Sequence, residues 1–166
     1  GLKIRVLATE IERLGVATLG ATGVPIPFTS VVPSIQRKVV DGARTSLVVA
    51  AKAKFPTVTN HLTITNDYYI PCISAFSKVW LNKLSKKNRK IVLDTAEELS
   101  DWASARANSF VDKMIVEWKK SGAKVAYLSA EENKLHMSRL KPLADQVFGK
   151  HKNPEIRKLY GILKAS

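Results

Sequence analysis

Cysteine and long hydrophobic runs are scarce in this 166-residue sequence. The single cysteine, Cys72, has no partner for an internal disulfide and lies in no Cys/His cluster, so disulfide-framework and zinc-binding classes are excluded. The longest nearly apolar stretches, at residues 48–51 and 68–76, are much shorter than the roughly 18 to 20 residues that cross a bilayer. These absences predict a soluble globular protein in which Cys72 is a small core residue.

Acidic residues are also few, with 14 Asp and Glu against 27 Lys and Arg, which gives a net charge of +13. Such an excess predicts an anionic partner. The densest basic run, residues 83–90, contains no aromatic side chain that could stack on a base, and no zinc-finger, RNP or basic-zipper pattern is present. We therefore expect small anions, and no nucleic acid, as the partner.

Catalytic motifs are missing as well. The glycines near residue 20 do not form a phosphate-binding loop, and neither GxSxG nor HExxH occurs. His61, His136 and His151 lie in different predicted elements and are interpreted as surface or capping residues. The sequence predicts no enzyme, no metal and no cofactor.

The hydrophobic pattern predicts alternating strands and helices. Strands are expected at residues 3–8, 24–28, 61–66, 68–76 and 123–128, and helices at 9–19, 30–40, 46–54, 131–148 and 154–163, with glycine stops at Gly20 or Gly23. This alternation predicts a layered α/β fold.

Residues 85–121 follow a helical period without interruption until Gly122. At 1.5 Å per residue such a helix is about 50 Å long, which exceeds a small domain and indicates either a bridging element or a break near Ser104 or Ser109. We also expect an exposed apolar surface along Trp102, Phe110 and Trp118 that favours self-association or a partner lobe.

Several short segments, taken in order, resemble one known family. They are GLKIRV at residues 1–6, LGA with VPIPF at 19–28, VVDG at 39–42, LTITN with YIP at 62–71, and WLNKL at 80–84 followed by the long helix. Their order and spacing resemble the carboxy-terminal half of solute-binding proteins of tripartite ATP-independent periplasmic (TRAP) transporters, the DctP-like family.

This resemblance implies a two-lobed periplasmic binding protein fold that closes around a small organic acid, with a long helix shared by both lobes. It implies that residues 1–67 and 121–166 form the second, ligand-binding lobe, that 68–120 form a crossover strand and bridging helix, and that the amino-terminal lobe is absent from this sequence. The function it implies is a periplasmic receptor that passes a carboxylate solute to TRAP membrane subunits.

The resemblance places the substrate-gripping arginine of the family on Arg5, within GLKIRV. A guanidinium matches a carboxylate with two parallel hydrogen bonds and stays charged at physiological pH. It also places on Phe28 the aromatic ring that relatives hold against the substrate. A strand arginine on the surface and a core phenylalanine are the alternative interpretations.

Two further positions depart from the family pattern. Relatives usually carry Glu and a substrate-bonding Asn after the Asp-Gly turn, where this sequence has Arg44 and Thr45, and Thr45 still offers one hydrogen bond. Asp67 stands where relatives often have a ligand-side histidine. An acid facing an anion is unfavourable unless it pairs with Arg5 or Arg44, so Asp67 either contacts the ligand or orients an arginine.

Two other functions stay open at this point. The +13 surface also suits a basic nucleic-acid-binding or scaffold domain, which would lose affinity steeply with added salt. An isolated or degenerate domain that binds no ligand is the second. The solute itself and the oligomeric state are not predicted.

Overall fold

A computed structural model describes residues 1–68 and 70–165, and for Asn108 the backbone alone. In chain order its elements are β1 (Lys3–Val6), α1 (Glu10–Thr18), β2 (Thr22–Pro25), α2 (Val31–Gln36), β3 (Gly42–Ala43), α3 (Leu47–Lys52), β4 (His61–Ile64), α4 (Lys78–Lys83), α5 (Lys86–Lys120), β5 (Lys124–Tyr127), α6 (Ala130–Ala144) and α7 (Pro154–Ala165). A π-helical turn, Asp145–Gly149, extends α6. Every strand pairing among these elements is parallel, so the predicted α/β fold is confirmed.

The strands form two small parallel sheets, one in the order β2-β1-β3 and the other pairing β4 with β5. Both sheets follow the strand-helix alternation of the sequence. The turn after α1 uses Gly20, whose φ of +86° is a left-handed conformation that glycine adopts without steric cost. Gly23 lets β2 approach α1 closely, because a side-chain carbon there would lie 3.1 Å from the Cα of Arg13.

Both sheets contribute to one core. Its four buried side chains are Val31, Ala50, Phe55 and Trp118, and partly buried side chains from β3, β4 and β5 pack against them, namely Ala43, Leu62 and Val125. Trp118 is 2% exposed, and burying a side chain of this size stabilises the fold by on the order of 3 kcal/mol. The carboxy-terminal end of α5 therefore belongs to the core.

The long helix predicted from the sequence is present as α5, 35 residues without a break at Ser104 or Ser109. Ser85 caps its first turn by accepting a hydrogen bond from the Asn88 amide, and Gly122 ends it with a φ of +83°. Trp102 and Phe110 are exposed as expected, whereas the expectation for Trp118 is wrong.

The crossover strand expected at residues 68–76 is not observed in the described part of that segment. Residues 70–77 form no regular secondary structure, because a strand requires a ladder partner and no described strand lies beside them. Cys72 is exposed within this segment, so the prediction that it is a core residue is wrong. Tyr69, in the same segment, lies outside the described residues.

Helices predicted elsewhere are present with small shifts at their ends. Helix α2 ends at Gln36 instead of Val40, and the left-handed φ of Lys38, +57°, marks the turn that follows. Helix α6 begins with a capping box in which Ser129 and Glu132 each bond the other's backbone amide. Among the described helices, none combines the length and the apolar character that a membrane span requires.

Candidate functional site

Polar side chains gather where the parallel strands end. Arg5 lies in β1, Arg44 follows β3, Asp67 follows β4, and His136 lies in α6, the helix that follows β5. Loops at the carboxyl ends of parallel strands are the usual ligand-binding edge of open α/β sheets. This edge is therefore the candidate site.

Arg5 is the buried cation of this edge, with 2% of its surface exposed. Its Nε donates a hydrogen bond of 2.9 Å to the carbonyl oxygen of Ile26, which fixes the guanidinium against the segment that follows β2. Within the described residues no carboxylate lies within 4.0 Å of its nitrogen atoms. Burial lowers the pKa of Arg5, while the charges of Glu12 and Tyr68 act to raise it. The guanidinium stays charged and lacks an acidic partner in this part of the chain.

Phe28 lies beside Arg5. The guanidinium carbon of Arg5 is 5.9 Å from the centroid of the Phe28 ring, at the outer limit of a cation-π contact. The Phe28 ring also stacks on the buried Phe55 ring at 6.4 Å, yet Phe28 itself is 43% exposed. Phe28 is thus supported from the core side and open on the other side, which is the disposition of a ring that can contact a ligand.

Arg44 and Asp67 form a buried ion pair. Nη2 of Arg44 donates to Oδ2 of Asp67 at 2.8 Å, and Nη1 of Arg44 lies 3.3 Å from Oε1 of Glu12 in α1. Only 1% of the Asp67 side chain is exposed. The orienting role considered for Asp67 matches this geometry, with Arg44 as the arginine that it holds. Thr45, next to Arg44, makes no hydrogen bond with another described residue.

Three more side chains contact this ion pair. Nε2 of His136 lies 2.8 Å from Oδ2 of Asp67, and Oγ1 of Thr65 donates to Oδ1 at 2.9 Å. The guanidinium carbon of Arg44 is 4.3 Å from the centroid of the Tyr68 ring. We call Glu12, Arg44, Asp67, Tyr68 and His136 the Arg44 cluster.

The turn after β4 directs the Asp67 side chain toward Arg44. Asn66 has a φ of +49°, a left-handed conformation that asparagine tolerates better than most residues. This conformation turns the chain immediately after Thr65, whose hydroxyl then reaches the carboxylate two residues later. The local sequence Thr65-Asn66-Asp67 therefore sets the direction of the acid.

The protonation states follow from these contacts. Burial acts to raise the pKa of Asp67, but the hydrogen bond from His136 and the charge of Arg44 outweigh it and hold the pKa below its usual value. An ionised carboxylate can only accept, so Nε2 of His136 carries the proton. Burial raises the pKa of Tyr68 to about 12, so its hydroxyl is neutral at physiological pH.

Sequence reasoning missed Glu12, Tyr68 and His136. A buried arginine requires carboxylates nearby, and that requirement could have directed attention to Glu12. No local signal identifies His136, because its partner Asp67 is 69 positions away. The capping interpretation is wrong for His136 and agrees with the structure for His151, whose Nδ1 accepts from the Asn153 amide. The described residues contain no group of three ligands suited to a metal ion.

Comparisons with known proteins identify relatives of this fold and sequence. The family described as "Bacterial extracellular solute-binding protein, family 7" (DctP) matches residues 1–151. A solute-binding protein of Verminephrobacter eiseniae is 27% identical over 125 residues, which are 75% of this chain and 37% of that protein. The C4-dicarboxylate-binding protein of Bacillus subtilis is 25% identical over 163 residues, 96% of this chain and 47% of that protein. The chain spans less than half the length of these two curated relatives.

A solved structure has the same fold. It is a TRAP periplasmic solute-binding protein from Roseobacter denitrificans with bound β-D-glucuronate, and it superposes with a TM-score of 0.85 at 22% identity. The match covers 100% of this chain and 54% of that one. The shared fold therefore corresponds to about half of a two-lobed binding protein.

Proposed function

Because the chain belongs to bacterial extracellular solute-binding protein family 7, we propose that it forms the anion-gripping lobe of an extracytoplasmic receptor for a TRAP-type transporter. In this proposal residues 1–67 and 121–166 make up the lobe, and residues 68–120 bridge to a second lobe. The solute is a small organic acid, which the receptor binds in the periplasm and passes to the membrane subunits. No catalytic step is part of this role.

The observation that carries the proposal is the environment of Arg5. A buried guanidinium held only through Nε by the described residues keeps the two terminal nitrogens of its fork for another group. Desolvation without a paired charge is unfavourable, and a bound carboxylate supplies that charge with two parallel hydrogen bonds. Relatives named for carboxylate solutes, among them the C4-dicarboxylate-binding protein of Bacillus subtilis, support the same chemistry.

In this proposal the contact between Arg5 and the acid is shielded from water. Arg5 is 2% exposed, and the Phe28 ring, whose centroid lies 5.9 Å from the guanidinium carbon of Arg5, is 43% exposed. A cleft that closes over the bound acid excludes water and strengthens the contact relative to an exposed ion pair. Phe28 and Thr45 are proposed as the neighbouring contacts, through ring stacking and one hydroxyl hydrogen bond.

Substitution of Arg5 tests the proposal. In the intact protein, Arg5→Ala should weaken binding of a carboxylate solute by roughly 2 to 5 kcal/mol, which is at least about thirtyfold. Arg5→Lys should restore only part of the affinity, because an ammonium keeps the charge and loses the fork. Calorimetric titration with a panel of small carboxylates measures both effects.

Arg139→Ala is the matched control, because Arg139 is exposed on α6 and lies outside the site. The control should bind every acid as the wild type does. An acid that binds wild type tightly and Arg5→Ala equally well would exclude the role assigned to Arg5. Absence of binding by any carboxylate in the panel would exclude the receptor function itself.

A further inference from the structure

Two arginines are neighbours at the candidate site. The β1–β3 ladder pairs Arg5 with Ala43, and the amide of Arg44, the next residue, donates to the carbonyl oxygen of Arg5 at 2.9 Å. Both guanidinium groups therefore originate at the same edge of one sheet. If both were free of acidic partners, this edge would offer two cations to one ligand.

Only one of the two lacks acidic partners among the described residues. Arg44 contacts Asp67 at 2.8 Å and Glu12 at 3.3 Å, and its guanidinium plane is covered by the Tyr68 ring. The side chains of Glu12 and Asp67 are 13% and 1% exposed, so these pairs are largely shielded from solvent. The Arg44 guanidinium is thus already engaged by side chains of the protein itself.

The acids that pair with Arg44 also belong to the surroundings of Arg5. Glu12 is among the groups whose charge acts on Arg5, and Tyr68 senses the charges of both arginines and both acids. Two carboxylates, those of Glu12 and Asp67, accompany the single guanidinium of Arg44. A second carboxylate on a ligand held by Arg5 would find Arg44 already paired with two acids, and would lose solvation without gaining that cation.

We infer that the Glu12–Arg44–Asp67 ion pairs make this lobe select solutes with one carboxylate over solutes with two. This inference rests on the proposed function, since it concerns the ligand that Arg5 holds. Arg44, Glu12 and Asp67 act as specificity-determining residues through charge and need not touch the ligand. The preferred solute carries one carboxylate and an otherwise uncharged, polar body.

Matched pairs of acids test the selectivity. Gluconate and glucarate are six-carbon polyhydroxy acids that differ by one terminal carboxylate, and 3-hydroxypropionate and malonate provide a three-carbon pair. In whichever pair the protein binds, wild type should bind the monocarboxylate roughly tenfold more tightly than the dicarboxylate. The ratio of the two dissociation constants, measured by calorimetry, is the quantity to compare among variants.

Two variants remove one acid each from Arg44. Asp67→Asn should reduce the preference for the monocarboxylate by roughly tenfold, because it removes the closer acid of Arg44 and with it a buried charge. Glu12→Gln should reduce the preference for the monocarboxylate by about threefold. Because Glu12→Gln retains the buried pair of Arg44 and Asp67, it serves as the test if Asp67→Asn folds poorly. Asp145→Asn, which changes the same net charge at a half-exposed site, should leave the ratio unchanged.

The outcomes separate this inference from the proposed function. Equal binding of both members of a pair by wild type, or a ratio that neither Asp67→Asn nor Glu12→Gln alters, overturns the selectivity and leaves the receptor function standing. If wild type binds neither member of either pair nor any other carboxylate, both proposals are overturned. A ratio that shifts in Asp67→Asn and Glu12→Gln but not in Asp145→Asn supports the inference.

Discussion

Arg5 and Arg44 are neighbours, Arg44 being one residue beyond the ladder partner of Arg5 on the adjacent strand, yet of the two only Arg44 is paired with acids among the described residues. Arg5 is buried with a backbone carbonyl as its hydrogen-bond acceptor, and no described carboxylate pairs with it. Arg44 is partly buried between two carboxylates. The difference distinguishes a cation available to a ligand from a cation that stabilises the fold, and burial alone does not separate the two.

The contrast between the two arginines is tested most directly by making the same substitution at each of them. Arg44→Met should destabilise the fold by about 3 to 5 kcal/mol, because it leaves two buried carboxylates without their cation. Arg5→Met should cost about 1 kcal/mol or less, since loss of the Ile26 hydrogen bond is offset by removal of a desolvated, unpaired charge. Denaturant unfolding measures both.

Equal losses at the two positions would contradict the contrast. A loss larger at Arg5 than at Arg44 would show that Arg5 is the structural cation and would weaken its assignment to a ligand. Arg139→Met, on the exposed face of α6, provides the baseline for the substitution itself.

Acid should weaken the Arg44 region through Asp67. The pKa of Asp67 is lowered in the folded state, so its stabilising contribution is fully present above the unfolded value near 4 and is lost as the pH falls through the folded value. Asp67→Asn should cost about 2 to 3 kcal/mol at pH 7. The difference in unfolding free energy between wild type and Asp67→Asn should shrink steadily below about pH 4.

A difference that stays constant from pH 7 to pH 3 would show that the Asp67 carboxylate is not linked to folding. Asp94→Asn is the control at each pH, because Asp94 pairs with Lys90 at an exposed site where both side chains are more than half accessible. Exposed pairs contribute about 0 to 1 kcal/mol, so the control should differ little from wild type.

The smallest expected effect separates the contributions of Glu12 and Asp67 to the stability of the fold. Glu12→Gln should cost about 0.5 to 1 kcal/mol, because the 3.3 Å contact is longer than the Asp67 contact and Arg44 keeps its closer partner. Unfolding of Glu12→Gln, Asp67→Asn and the double variant forms a double-mutant cycle. Additive losses would exclude cooperation of the two acids through Arg44.

Much of the fold could be predicted from local patterns. The strand that carries Arg5, the helix that follows it and the helix of residues 86–120 all follow from periodicity, caps and glycine stops. Motif order then indicated the DctP-like family, which the family match over residues 1–151 confirms. The strand predicted at residues 68–76 is not observed in the described part of that segment, because apolar composition alone cannot supply a pairing partner.

The candidate site was also only partly predictable from the sequence. Arg5 was identified from a motif in one strand, and its ligand role stays a proposal together with those of Phe28 and Thr45. Asp67 was left between ligand contact and arginine support, and its contacts with Arg44 and His136 favour support. Trp118 was expected on the surface and is buried, because helical periodicity does not reveal which part of a long helix a neighbouring sheet covers.

The sequence by itself determined the α/β class, the helical period of residues 85–121 and the family, since these depend on local propensity and on the order of short motifs, whereas the absence of a break near Ser104 or Ser109 came from the structure. Only the tertiary structure decided which charges meet. The charged cluster combines residues from four separate parts of the chain, namely Glu12, Arg44, Asp67 and His136. The first and last of them are 124 positions apart, and no local rule relates them. They come together because the loops after β3 and β4, which belong to different sheets, meet helices α1 and α6 at this site, where a buried guanidinium must find carboxylates or remain available to an anion.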